Sequence, residues 1–168
     1  VWDADAAVAR AYAAGGAGAR DIADLAPAAG VDGAVERDRL RAAIRADPQL
    51  LDRIEARIHP LVAADREAFV AANGAAPLVV LDIPLLYETG ADAWLDGVLV
   101  VTAPPEVQRA RVLARPGMDT GAFAAILARQ TSDAEKRARA DFVIETDKGV
   151  EFARDAVLDV VDRIAKGA

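Results

Sequence analysis

PLVVLDIP, residues 77–84, carries four apolar residues in succession, Leu78 to Leu81, and ends on an aspartate and a proline. A strand with one wet face alternates apolar and polar residues, whereas a strand covered on both faces of a parallel sheet does not. The stretch therefore predicts a buried parallel strand, and GVLVVTAPP, residues 97–105, repeats its character. ADFVIET, residues 140–146, reads as a third, short buried strand, and VWD, residues 1–3, as a strand end running into a helix. The intervening stretches are helical. Leu40 and Ile44 repeat at four, and Leu50, Ile54 and Ile58 form one stripe. Pro60 is placed as the first residue of the next helix, LVAADREAFVAAN, which Gly74 closes. Further helices are expected in PPEVQRARVLAR, MDTGAFAAILARQ, SDAEKRARA and the closing VEFARDAVLDVVDRIAK. Apolar strands separated by helices predict an α/β fold with a parallel sheet, in which the all-helical stretches are lobes inserted at strand ends.

Composition bounds the function. With 168 residues, 54% of them hydrophobic and 5% aromatic, the chain has one core's worth of aliphatic side chains. A net charge of −7 argues against broad binding to nucleic acid or an anionic membrane, which needs a basic face. No cysteine is present, so there is no disulfide framework and no thiolate chemistry, as suits a reducing cytoplasm. No apolar run approaches the roughly 20 residues that span a bilayer. One histidine and no cysteine leave carboxylates as metal ligands, a donor set suited to Mg²⁺ shared with a nucleotide.

Ligands of open α/β sheets sit beyond the carboxyl ends of the strands, so each strand end is a candidate for chemistry. The first offers Asp3 and Asp5, the second Asp82 and the residues Pro84, Leu85, Leu86 and Glu88, the third Thr102, and the fourth Glu145 to Asp147. A carboxylate at the start of a helix either caps it or accepts a proton from a substrate hydroxyl, and both readings are open for Asp3 and Asp5. Gln108, Arg111 and Arg115 fall at i, i+3 and i+7, one helix face, where two guanidiniums could grip phosphate oxygens or balance an acidic protein. His59, immediately before Pro60, either satisfies backbone groups at a helix start or contacts a phosphate or carbonyl. Leu85 and Leu86 are core or an apolar wall for a ligand. A phosphate loop of the form G-x-x-x-x-G-K-[S/T] is absent, and the lysines Lys136, Lys148 and Lys166 all lie in the last third.

Taken in order, VWDADAAV, VERDRLRAAIRADP, RIHPLV, LDIPLLYETG, VLVVTAPPEVQRARVLAR, ILARQ and EKRARADFVI resemble dephospho-coenzyme A kinase, a P-loop kinase family, through most of the chain. HPLV followed about twenty residues later by D-x-PLL-x-E-T is the specific pairing. The resemblance implies transfer of a phosphoryl group from ATP, with Mg²⁺, to the ribose 3′-hydroxyl of dephospho-coenzyme A. It implies a three-layer sheet carrying a helical substrate lobe over about residues 32–75 and a helical lid over about 106–139. Asp5 is implied as the base, Arg111 and more weakly Arg115 as lid arginines, and Arg37, His59 and the segment Pro84 to Glu88 as the acceptor side. Asp5 or Asp82 is implied at the metal. Thr146 stands near the adenine, where the family's I-D-N is replaced by Ile144, Glu145 and Thr146. The family also begins with a strand, a Gly-rich loop and a helix, which are expected to precede Val1, and without them the chain is expected to be inactive. A related nucleotide kinase, or a coenzyme A binding module without catalysis, would share some of these features.

Overall fold

A computed structural model describes residues 1–167, and the chain divides into two compact units, Val1–Pro84 and Leu85–Ala168. In the first unit, β1 (Trp2–Asp3) runs directly into α1 (Ala4–Tyr12), and α2 (Ala17–Leu25) follows. A 3₁₀ turn at Pro27–Ala29 leads into a small antiparallel hairpin, β2 (Gly30–Val31) with β3 (Ala34–Val35). Its two-residue turn places Asp32 at φ 50° and Gly33 at φ 78°. Two residues at positive φ are what a tight hairpin loop with the right twist needs, and Asp followed by Gly supplies them cheaply. Next come α3 (Arg37–Ala46), α4 (Gln49–Ala72) and β4 (Leu81–Asp82), which pairs in parallel with β1.

The core of this unit is helical. Ile22, Ala26, Ala29, Leu40, Leu50, Ile54 and Ile58 form one buried cluster, with Val8, Tyr12, Leu61 and Val62 packed against it. Gly18 lets α2 come close: a Cβ there would lie 2.9 Å from Ile58 Cδ1 and 3.0 Å from the Ala11 carbonyl oxygen.

Two expectations are corrected here. Pro60 does not start a new helix; it lies inside the continuous 24-residue α4. Proline in a helix interior forfeits a hydrogen bond and crowds the preceding turn, at a cost of about 3 kcal/mol. The apolar stripe continues across it through Ile58, Leu61 and Val62, and burial of several such side chains at about 1.5–3 kcal/mol each outweighs the defect. The strand predicted over 78–82 is also shorter than its sequence suggests: β4 is Leu81–Asp82, with the Val80 carbonyl before it accepting from the Trp2 amide at 2.8 Å. Its ladder is one-sided, since β1 is its partner in a two-stranded sheet.

In the second unit a turn-rich segment and a 3₁₀ turn (Ala91–Trp94) precede β5 (Leu99–Thr102). Then follow α5 (Pro105–Leu113), α6 (Thr120–Leu127), α7 (Asp133–Arg139), β6 (Phe142–Glu145) and α8 (Val150–Ala165). β5 and β6 pair in parallel from Leu99↔Phe142 to Thr102↔Glu145. The parallel pairing expected from the apolar runs is present. Among the described residues it is organised as two separate strand pairs, β1 with β4 and β5 with β6. The face of Gln108, Arg111 and Arg115 is also shorter than expected, because α5 ends at Leu113 and Arg115 falls in the turn beyond it. Arg115 precedes Pro116, which disfavours helical backbone at the residue before it, and Gly117 then takes φ 75°.

Candidate active site

The strand ends carry the polar groups, and each unit holds its own set. At the end of β1 the two aspartates separate into different roles. Asp3 is the N-cap of α1, its Oδ1 accepting from the Ala6 amide at 2.9 Å. Asp5, in the first turn, is exposed and makes no hydrogen bond or ion pair among the described residues. Its carboxylate sits where the α1 dipole favours negative charge. Asp82, at the end of β4, is exposed and stands in register with Asp3.

α1 is held in place by a residue the sequence did not single out. Asp65, on α4, accepts from Trp2 Nε1 at 2.7 Å, from Arg10 Nε at 3.1 Å and from a second Arg10 nitrogen at 2.5 Å. The Arg10 and Trp2 hydrogen bonds hold the Asp65 carboxyl below its ordinary range. Nothing local advertises Asp65, whose partners lie 55 and 63 residues away.

The substrate-side candidates of this unit lie apart from one another in sequence and element. Arg37 is the exposed first residue of α3, near enough to Tyr12 to oppose electrostatically the upward push that burial gives that phenol. His59 is exposed on α4; as a mid-helix residue it has no helix start to satisfy. Pro84 closes the unit and is exposed.

In the second unit Arg111 reaches the end of β6, donating to Thr146 Oγ1 at 3.0 Å and to the Thr146 carbonyl at 2.7 Å. Thr146 is itself fixed to the end of β5: its amide and its hydroxyl both donate to the Thr102 carbonyl, at 2.8 and 2.9 Å. Arg111 and Thr146 are thus brought together, whereas Arg115 is an exposed residue outside α5. Gln108, on the same helix as Arg111, donates to the Ala103 carbonyl at 2.6 Å and pins the start of α5. The Thr102 hydroxyl donates to Asp133 on α7. Burial pushes the Asp133 carboxyl up, but Thr102 and Arg137 outweigh it and hold the group below its ordinary range.

Leu85 is 45% exposed and Leu86 half-buried, while Tyr87 beside them is buried. Glu88 Oε1 accepts from the Thr131 amide at 2.7 Å and lies 3.2 Å from Lys136 Nζ.

The family model for dephospho-CoA kinase matches residues 1–151. The chain belongs to the dephospho-CoA kinase family. Members of that family phosphorylate dephospho-CoA to make CoA, with ATP as the phosphate donor. The dephospho-CoA kinase of Cereibacter sphaeroides is 55% identical over 168 residues, covering all of this chain and 84% of its own length. That of Jannaschia sp. is 53% identical over 167 residues, 99% of this chain and 85% of its own. A crystal structure from Thermus thermophilus is 35% identical with a TM-score of 0.74, over 95% of this chain and 81% of that one. The dephospho-CoA kinase structure from Campylobacter jejuni, 21% identical, shares the fold with a TM-score of 0.71, over 99% of this chain and 85% of its own. The fold is thus of the P-loop kinase type, mixed α/β with parallel strands.

Proposed function

We propose that this dephospho-CoA kinase chain transfers the γ-phosphoryl group of ATP to the ribose 3′-hydroxyl of dephospho-CoA, with Asp5 receiving the hydroxyl proton. The observation that carries the assignment is the division of labour at the end of β1. Asp3 is spent on capping α1, and Asp5 is exposed, unengaged and at the dipole-favoured end of the same helix. A carboxylate so placed can orient the acceptor hydroxyl and take its proton as the oxygen attacks phosphorus.

Phosphoryl transfer asks the protein for position and charge more than for covalent chemistry. Arg111 is the candidate for that charge, because its planar guanidinium suits phosphate oxygens. Its anchorage on Thr146 sets it at the joined ends of β5 and β6, which supports nucleotide-side roles for both residues. Arg37 and His59, both exposed, and the Pro84–Leu86 stretch are proposed for the acceptor, and Arg115 for a subsidiary phosphate contact.

The exposed oxygen donors at the ends of β1 and β4 fit Mg²⁺, which binds through one or two carboxylates while keeping waters and phosphate oxygens. Asp82 would hold it, leaving Asp5 for the hydroxyl. Bound there with ATP, the ion would neutralise charge on the phosphates.

The test is steady-state kinetics of the full-length protein and its Asp5→Asn variant against dephospho-CoA and a panel of nucleoside monophosphates. Asp5→Asn should lower kcat by about 10²- to 10⁴-fold, the usual reach of a positioned acid or base, with the KM for dephospho-CoA little changed. A variant retaining wild-type kcat sinks the assignment of Asp5. Preference for a nucleoside monophosphate sinks the substrate.

A further inference from the structure

The segment that follows Pro84 has no ladder to orient it. Within residues 85–91 the backbone makes local turns, as in Ala91 N to Leu86 O at 3.0 Å and Thr89 N to Leu85 O at 3.2 Å, and the Thr89 hydroxyl donates to the Leu85 and Leu86 carbonyls at 2.9 and 3.2 Å. What ties this turn to the rest of its unit is side chains, and those of Tyr87, Glu88 and Asp92 reach to one place. Glu88 accepts from the Thr131 amide and pairs with Lys136. Arg139 lies 4.1 Å over the Tyr87 ring and donates to Asp92 Oδ2 at 2.7 Å. These partners, Thr131, Lys136 and Arg139, belong to α7 or to the turn leading into it.

α7 is in turn fixed to both strands of the second unit. Asp133 accepts from the Thr102 hydroxyl at the end of β5, and Arg137 bridges Asp133, at 2.8 Å, to Glu145 on β6, at 3.4 Å. α7 and the turn before it thus join the 85–92 segment to two strand ends.

The Glu88–Lys136 pair differs from the other ion pairs of the chain. Its side chains are 14% and 20% exposed, whereas those of Arg41–Asp38 are 66% and 82% exposed. Burying an ion pair is a poor way to add stability, because desolvation consumes most of the attraction, but it does fix geometry. Burial pushes the Glu88 carboxyl up, yet its own amide, the Thr131 amide and Lys136 together hold it below its ordinary range, so it remains an anion.

We infer that Glu88 and Lys136 are positioning residues for the acceptor: their buried pair anchors the 85–88 turn to α7 and so sets where Leu85 and Leu86 present an apolar wall to the non-reacting part of dephospho-CoA. The inference rests on the proposed substrate. It takes Glu88 out of direct contact with the acceptor, and it makes α7 the fixed end of the 106–139 region, so that lid movement is confined to the part before Thr131.

The experiment is a double-mutant cycle, Glu88→Gln, Lys136→Met and both together, in the full-length protein, with KM for dephospho-CoA and for ATP and thermal midpoint measured for each. Each single variant should raise the KM for dephospho-CoA about tenfold and leave that for ATP within about twofold, as expected where one partner of a pair is left uncompensated. The double variant, with no unpaired buried charge, should be no worse than either single variant, and it decides the matter should a single variant fail to fold. Its KM for dephospho-CoA should still exceed wild type. A lowered midpoint with unchanged KM for dephospho-CoA, equal changes for both substrates, or losses that simply add would each overturn the inference. In those cases wild-type turnover of dephospho-CoA would leave the proposed function standing; absence of wild-type turnover would remove both.

Discussion

The two units are built on different physics. Residues 1–84 enclose a contiguous aliphatic cluster of seven buried residues drawn from α2, α3, α4 and the stretch Ala26–Ala29. Residues 85–167 bury fewer large side chains and are cross-linked by polar contacts instead: Glu88–Lys136, Asp133–Arg137, Glu145–Arg137, Asp92–Arg139 and Glu145–Lys148. Rings under cations add to these, Arg139 over Tyr87 and Arg163 over Phe142. Ion pairs such as Arg10–Asp65 occur in the first unit too, and buried side chains such as Phe123 and Ile144 in the second, but the first rests more on its cluster and the second more on its ion pairs, so the two should respond to different insults.

The sharpest way to break that contrast is a cavity. Ile58→Ala removes a side chain that is 4% exposed and packs against Gly18, and should cost about 2–5 kcal/mol. Hydrogen exchange should rise across α1, α2 and α4 with little change in β5 and β6; equal loss in both units would mean that they do not differ as described. A smaller effect is expected from acid. Glu88, Asp133 and Glu145 are all held below their ordinary pKa, the last chiefly by Lys148, so their contribution is complete above the ordinary carboxylate range. It is lost as pH falls through their depressed folded values, and exchange protection of β5, α7 and β6 should fall before that of α2 and α4. In the first unit Asp65 is held low in the same way, but the aliphatic cluster beneath α2 and α4 does not titrate, so the reverse order would undo the comparison. The smallest effect is a gain. Pro60→Ala restores a hydrogen-bond donor in the middle of α4 and should stabilise the protein by about 1 kcal/mol, read as a raised thermal midpoint. No gain would mean that the surroundings of Pro60 have fully absorbed the defect.

Periodicity located most helices, because stripes such as Leu50, Ile54 and Ile58 are local signals that packing then uses. It misplaced the junction at Pro60 because proline's local preference for a helix start was outweighed by burial on either side. The run Leu78 to Leu81 announced a strand, of which Leu81 and Asp82 pair in parallel with β1. For the site, Asp5 was visible as a carboxylate at a strand end and Arg111 as a guanidinium on one helix face with Gln108 and Arg115. Which aspartate would cap α1, and that Arg111 would rest on Thr146, were decided by geometry that no spacing encodes. Asp65, Lys136 and Arg139 were invisible for the same reason: each looks like an ordinary charge on a helix until a partner from a distant segment arrives.

α4 has a mechanical consequence of its own. At 1.5 Å per residue its 24 residues form a beam about 36 Å long, notched near the middle where Pro60 interrupts the ladder. A tilt of a few degrees at such a notch, acting over the remaining half of about 18 Å, would move the far end by about an ångström. Asp65 clamps the beam five residues beyond the notch, bracing it against Trp2 and Arg10 on the strand and helix that carry Asp5. The brace ties the far half of the beam to β1 and α1 through three hydrogen bonds that converge on one carboxylate.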